Sequence, residues 1–337
     1  EGEKITYAFT NENNQEIYTF TANEPVSWFI NGGEKSLFTI DQNSGKLTFK
    51  KSPDYEQSFS LNGTTLKFKT NYQAQNVSRS FFVELYDSQN QSNKSTPITS
   101  NNFIQYINDG SFNNSLIHRV ESDFVIQSGL YKHPHVASDQ IEGIPKPITK
   151  KAEIDNEPGN SNLLGTISMA KVFGRPNSAT SSWFINLSNN ISLDLSNEGF
   201  TVFGHILGDG IKNPLTISDV FKQLSVDIPI AENGYNVTYA NGLNLTQLPL
   251  YDFNSSKAWS GNVAYKENYF AIQSISTIDE RPNQIENKYN VIVSATDSEG
   301  NQSNQYVIIN VEDIEGETLE GTNTLDTLTG GAGNDVF

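Results

Sequence analysis

The chain has 337 residues, with 22 basic and 39 acidic side chains, a formal charge of −17 and 36% hydrophobic residues. That acidity argues against a nucleic-acid ligand, which needs a basic face, and no run of about 18 apolar residues exists to span a membrane. With no cysteine and four histidines, disulfides, thiolate nucleophiles, zinc ribbons and iron–sulfur clusters are excluded. The 20 Phe and 14 Tyr suffice for buried cores in two or more domains. No signal-peptide pattern is read in the residues from Glu1, and with Phe337 falling inside a motif the chain reads as a fragment of something longer.

In chain order, residues 1–56 alternate apolar and polar in short runs: Ile17 to Phe20, Val26 to Ile30, Leu37 to Ile40 and Lys46 to Phe49. Turn signals at Asn31-Gly32-Gly33 and Asn43-Ser44-Gly45 separate them, a hairpin-rich β pattern. Residues 60–279 mix strands with two helical candidates. The first, 98–108, places Phe103, Ile104 and Tyr106 near one face, with Thr99 or Ser100 as cap and Asp109-Gly110 as terminator. The second, 214–224, carries Leu215, Ile217, Val220, Phe221 and Leu224 as an apolar stripe. Both stripes read as core packing. An all-β body with two short helices suggests a barrel plugged at its ends. Residues 286–313 return to β alternation, from Tyr289 to Ala295, a turn at Ser298-Glu299-Gly300-Asn301, then Tyr306 to Val311.

Three runs in the middle segment bear on chemistry: Leu116 to Gly129, Leu164 to Ala170 followed by Asn177 to Asn186, and Leu193-Asp194 followed by Phe200 to Gly204. In the first, strand alternation puts Phe124 and Ile126 on one face and Val125 and Gln127 on the other. On their own, Arg119, Phe124 and Gln127 indicate only a β protein with a polar-rimmed apolar pocket. No ordered Ser/His/Asp arrangement supports a hydrolase. The pair His133 and His135, with no acidic partner beside it, reads as loop rather than metal site.

Taken together, these runs resemble the cyclophilins, the peptidyl-prolyl cis-trans isomerases. Phe82-Val-Glu-Leu-Tyr-Asp87 looks like the family's first strand, and Asn102 to Ile107 like its first helix. Phe112 to Arg119 looks like its Y-x-x-x-x-F-H-R stretch, Phe124 to Gly129 like F-M-I-Q-G-G, and Thr201 to Gly204 like x-V-F-G. Leu248-Pro249-Leu250 and Tyr269 to Ile275 resemble the closing segment of bacterial members. The resemblance covers roughly residues 62–279 and implies an eight-stranded antiparallel barrel with two capping helices and an outer substrate groove. It implies Arg119, Phe124 and Gln127 as catalytic residues, and Val125, Ala170, Lys171, Phe184, Leu193 and Phe200 as substrate-binding residues. The chemistry needs no cofactor. An X–Pro bond crosses a barrier of about 18–20 kcal/mol because twisting breaks amide resonance. A fixed guanidinium that donates to the prolyl nitrogen only when the bond is twisted binds the transition state selectively. The chain departs from the family at Ser192, Ser182, Val125 and Phe200, which implies a groove lower on one wall and less polar at its rim. Two insertions, 130–152 and 225–262, read as surface embellishments.

The flanks resemble two halves of one cadherin-like repeat. Leu37 to Phe49 with Pro53-Asp54-Tyr55-Glu56 looks like the front, and Tyr289 to Asn301 with Val307 to Asp313 like the back. The implied organisation is a cadherin-like β-sandwich of 1–58 and 281–315 with the cyclophilin-like domain, 59–280, inserted in one of its loops. This resemblance implies calcium at Asp54, Glu56 and Asp313, hard oxygen ligands of the right kind. The segment 316–337, with Gly330 to Phe337, resembles the start of an RTX calcium-binding repeat. The expectation is a bacterial, extracellular or cell-surface isomerase module, exported by a one-step route, with proline-containing segments or neighbouring domains of a parent chain as partners. The alternative is a non-catalytic Pro-peptide-binding or adhesive module on the same fold.

Overall fold

A computed structural model of the protein describes residues 5–55, 59, 61–74, 77–88, 93–133, 145–212, 235–238, 244–249, 269–282 and 285–314. In chain order the first strands are β1 (Ile5–Asn11), β2 (Glu16–Thr19), β3 (Ser27–Gly33), β4 (Phe38–Ile40) and β5 (Lys46–Phe49). Then come β6 (Thr65–Ala74), β7 (Val77–Leu85), helix α1 (Pro97–Asn108), β8 (Ser115–Leu116), β9 (Arg119–Glu121), β10 (Val125–Ser128), β11 (Tyr131–Lys132) and β12 (Lys146–Pro147). The last are β13 (Thr166–Met169), β14 (Trp183–Asn186), β15 (Val202–Ile206), β16 (Tyr235–Thr238), β17 (Asn244–Leu248), β18 (Ala271–Ile278), β19 (Lys288–Thr296) and β20 (Gln302–Glu312). The chain divides into two compact units: Glu1–Leu61 with Leu207–Asp209 and Glu280–Phe337, and Asn62–Ile206 with Gly210–Asp279. The expected helix at 214–224 and the segment 316–337 lie outside the described residues.

The first unit is a β-sandwich. One sheet has the order β1-β20-β19-β3, the other β2-β5-β4. Period-two alternation explains the core. Tyr289, Val291 and Val293 of β19 and Val307, Ile309 and Val311 of β20 meet Phe38, Leu47 and Phe49 of the facing sheet. The β1 strand, which the apolar runs did not single out, pairs parallel to β20. The turn expected at Asn31-Gly32-Gly33 is instead the end of β3, where Gly32 and Gly33 pair with Ile292 and Val291 beside a bulge. Gly33 has φ +64°, and a Cβ there would come within 2.4 Å of Asn290. Glycine signals close backbone approach here rather than chain reversal.

This unit also holds a buried ion pair. Arg281 and Glu34 are 4% exposed and meet at 2.6 Å. The other Glu34 oxygen accepts the N–H of Asn290 at 3.0 Å and of Gly208 at 3.2 Å. Arg281 also donates to the carbonyls of Ile285 and Lys288 and lies over the Tyr289 ring. These bonds assign the short piece Leu207–Asp209 to the sandwich.

The second unit is a curled antiparallel sheet. β8 runs on into β9 and β10 into β11, so 115–132 is one long hairpin, stitched midway where His118 N donates to Gln127 O at 3.1 Å. One arm pairs with β18, the other with β14. From β14 the pairings pass through β13, β15, β7 and β6 to β18, and so return to the same hairpin. The run Phe82–Asp87 is therefore the second strand of this unit, because β6 precedes it. Inside, Phe68 stacks on Phe81 at 4.8 Å and meets Trp183 edge-on at 5.5 Å.

α1 covers this core with Phe103, which meets Phe203 at 5.1 Å and Phe112 at 4.9 Å. Its start differs from the expected cap. Pro97 opens the helix, Thr99 and Ser100 are buried in its first turn, and Thr96 makes no side-chain cap bond. Glu157 supplies the acceptors instead, taking the N–H of Ile98 at 3.2 Å and of Thr99 at 2.8 Å. A distant carboxylate thus serves the orphan N–H groups and the positive end of the helix dipole. Gly110, at φ +71°, follows the helix end as expected. Among the described residues, no helix is long and apolar enough to cross a membrane.

Candidate active site

Strand register brings the expected catalytic residues together. Arg119 stands opposite Gln127, and Gln127 opposite Phe184, in one row across β9, β10 and β14. Residues in direct register share a sheet face. The next row, Val120, Ile126 and Ile185, points the other way and is buried in the core. Phe124 does not follow the alternation expected of it. It ends a turn in which Asp123 has φ +57°, and its ring lies under the Arg119 guanidinium, 5.5 Å from ring centre to Cζ. A cation over an aromatic face is a favourable and orienting contact.

A wall stands beside this row. Phe184, 5% exposed, meets Phe200 edge-on at 5.9 Å. The Lys171 ammonium lies 5.1 Å from the Phe200 ring centre and donates to Gly199 O at 2.6 Å. Burial holds the Lys171 pKa below the usual lysine range, with Glu198 opposing. Leu193 joins the wall through its carbonyl, which accepts Phe200 N at 3.0 Å. Ala170 donates its N–H to Ser182 O at 2.9 Å. Val125 is only 2% exposed and belongs to the floor.

Several positioning groups carried no signal in the sequence. Asn190 donates to Phe124 O and to Asn186 Oδ1, both at 2.8 Å. Asn162 holds Asp194 with its N–H and its amide, each at 2.8 Å. Asn156 fastens the wall by donating to the carbonyls of Glu198 and Gly199. Ser182 accepts from Gln127 at 3.1 Å. Gly129 has φ +88°, and a Cβ there would lie 2.2 Å from Ser181 O, so only glycine fits. The 225–262 insertion is not mere embellishment. Gln247 of β17 accepts from Arg119 Nε at 2.6 Å, while Glu121 pairs with Arg119 Nη2.

His118, beside Arg119, is buried, and burial lowers its pKa to about 4. It is neutral at pH 7 and leaves the positive charge of the site to Arg119 and Lys171. His133 packs edge-on against Tyr269, and His135 lies outside the described residues. Glu56 lies outside them too. Among the described residues, no three His, Asp or Glu side chains gather to hold a metal, so Asp54 and Asp313 make no coordination set by themselves.

The profile described as cyclophilin type peptidyl-prolyl cis-trans isomerase/CLD matches residues 65–233, half of the chain. Peptidyl-prolyl cis-trans isomerase A of Dickeya dadantii is 38% identical over 113 residues, which are 33% of this chain and 55% of that protein. Peptidyl-prolyl cis-trans isomerase B of Escherichia coli is 32% identical over 128 residues, 37% of this chain and 71% of that protein. The isomerase cyp18 of Streptomyces antibioticus is 33% identical, over 40% of this chain and 80% of its own. The chain thus spans between about half and four-fifths of the length of these relatives. A crystal structure of a Cryptosporidium parvum cyclophilin-type isomerase aligns with a TM-score of 0.37 and 19% identity, covering 65% of this chain and 99% of that one. The profile match over half of the chain, together with the Escherichia coli and Streptomyces antibioticus relatives at 32% and 33% identity, shows that the chain belongs to the cyclophilin-type peptidyl-prolyl cis-trans isomerase family.

Proposed function

We propose that this protein catalyses cis-trans isomerisation of X–Pro bonds in peptide segments, with no covalent intermediate and no cofactor. The observation that carries the reading is the single row of Arg119, Gln127 and Phe184, with Phe124 under the guanidinium. Phe184 and Phe200 seat the proline ring, and Gln127, fixed by Ser182, holds the peptide backbone. With the ring anchored, the chain on the other side of the bond rotates. As resonance is lost, the prolyl nitrogen becomes pyramidal and accepts an N–H from Arg119. That bond exists only in the twisted state, so it lowers the barrier rather than deepening the ground state. In a protease-free exchange assay on an X–Pro peptide, the parent accelerates interconversion and Arg119→Ala loses about 100-fold of that rate. Equal rates for the two proteins would end the reading.

A second reading, peptide capture without turnover, is favoured by Ser192. It is exposed where the family carries an aromatic, which lowers one wall of the groove. The same assay separates the two, since capture alone would show peptide binding and no accelerated exchange.

The sandwich is further proposed to be a cadherin-like, calcium-responsive module of an extracellular bacterial protein, with the tail as the start of an RTX region. Its support is the resemblance of the flanks and the position of Glu12. This buried carboxylate accepts Tyr55 N at 3.1 Å and Ile314 N at 2.7 Å, and so draws together the backbone beside Asp54 and Asp313. Millimolar calcium should raise the unfolding midpoint of the sandwich by about 5 °C, as expected for a ligand that binds only the folded state. An unchanged midpoint removes the calcium part of the reading.

A further inference from the structure

The Arg119 guanidinium is gripped by two acceptors from different parts of the chain. Gln247 Oε1 accepts from Nε at 2.6 Å, and the Glu121 carboxylate pairs with Nη2. Nε–H and one Nη2–H lie on one edge of the planar group, so both acceptors hold that edge. The other edge, which carries Nη1, turns away from them. Glu121 follows Arg119 by two residues in β9 and shares its sheet face. Gln247 comes from β17, 128 residues further on, where Leu245 and Leu248 are buried and anchor the strand.

The Gln247 backbone gives a second, independent observation. Its φ is +62°, in the left-handed region. A non-glycine residue is strained in that conformation, and glycine would remove the strain. A side chain is nevertheless present, and its carboxamide meets the one group whose position decides the chemistry. Arginine has four rotatable side-chain bonds, and a displacement of about 1 Å at a reacting group can cost 100-fold in rate. Two acceptors on one edge remove that freedom while leaving the other edge to the groove.

We propose that Gln247 and Glu121 are positioning residues for the isomerisation. They lock the Arg119 guanidinium over Phe124 by its Nε–Nη2 edge, so that the Nη1 edge meets the twisted X–Pro bond. This rests on the isomerase reading above. It gives the segment that follows the matched region a part in the site that the family profile, which ends at residue 233, does not include.

The test compares the full chain with Gln247→Gly, Gln247→Glu and Glu121→Gln. The readings are peptide affinity, the exchange rate of the bound X–Pro peptide, the denaturation midpoint and the protection of the Arg119 Nε–H signal. Gln247→Gly should unfold at the same or a higher midpoint, bind peptide within about threefold of the parent and exchange it about tenfold more slowly, the loss of one hydrogen bond to a charged group. Its Arg119 Nε–H should exchange faster with solvent. Gln247→Glu and Glu121→Gln keep an acceptor and should remain within about threefold of the parent rate. In an Arg119→Ala background, Gln247→Gly should change nothing further. A Gln247→Gly protein that isomerises as fast as the parent overturns the proposal. One that isomerises faster also overturns it, because the carboxamide would then be competing with substrate. A parent without activity defeats the isomerase reading itself and this proposal with it, whereas an active parent indifferent to Gln247 defeats the proposal alone.

Discussion

Each of the two units contains an arginine–glutamate pair, and the two pairs serve opposite ends. In the sandwich, Arg281 and Glu34 are each 4% exposed, and backbone carbonyls and N–H groups take up their remaining bonds. Such a pair holds loops together and has nothing left for a ligand. In the curled sheet, Arg119 and Glu121 are 30% and 32% exposed. There the guanidinium lies over Phe124 at the edge of an apolar wall and is held along one edge. The same two residue types therefore make a structural clamp when sealed in and, when about a third exposed beside an apolar wall, a pair that a ligand can reach. Burial and bonding, rather than the pairing itself, mark the difference.

The largest expected effect breaks the sealed pair. Glu34→Ala leaves a buried guanidinium uncompensated and should destabilise the sandwich by about 3–5 kcal/mol, read as a lower denaturant midpoint. X–Pro exchange in native buffer should stay within about twofold of the parent. A loss of activity at full stability would mean that the two pairs are not separate in role.

A smaller effect comes from His118, whose folded-state pKa of about 4 lies below the ordinary value of 6.5. A histidine buried neutral contributes stability that is fully present above pH 6.5 and is lost as pH falls towards 4, because the unfolded chain takes up the proton first. The curled sheet should weaken over that window by an amount on the order of 3 kcal/mol. His118→Asn or His118→Phe should flatten the profile there, and an unchanged slope would show that His118 does not govern it. The smallest effect concerns the wall. Phe200→Ala removes the edge contact with Phe184 and should raise KM about tenfold with kcat nearly unchanged, the signature of lost uniform binding. A fall in kcat instead would place Phe200 in the transition-state contacts beside Arg119.

What the sequence made legible follows from distance along the chain. Arg119, Phe124 and Gln127 lie within nine residues, so a local motif was enough to single them out; a period of two placed Gln127 but misplaced Phe124, and strand register then sets Phe184 beside Gln127. The groups that fix the site are remote. Gln247 is 128 residues from Arg119 and Asn190 is 66 from Phe124, and outside the site the carboxylate that caps α1, Glu157, is 58 from Thr99. Single polar side chains at such separations leave no periodicity to read. The sandwich pair is the extreme case, with Arg281 and Glu34 247 residues apart. Asn31-Gly32-Gly33 failed for another reason. Glycine is wanted both where a chain turns and where a backbone crowds its neighbour, and composition does not distinguish the two.

On the proposed mechanism, Arg119 acts on the twisted bond and not on the resting peptide. This is tested most directly by Arg119→Lys, with the exchange rate of the bound X–Pro peptide and its Kd measured on the same sample. A lysine keeps the charge but lacks the planar fork. The exchange rate should fall about 100-fold with Kd within about threefold of the parent. An unchanged bound-state rate, with the whole loss in Kd, would contradict it.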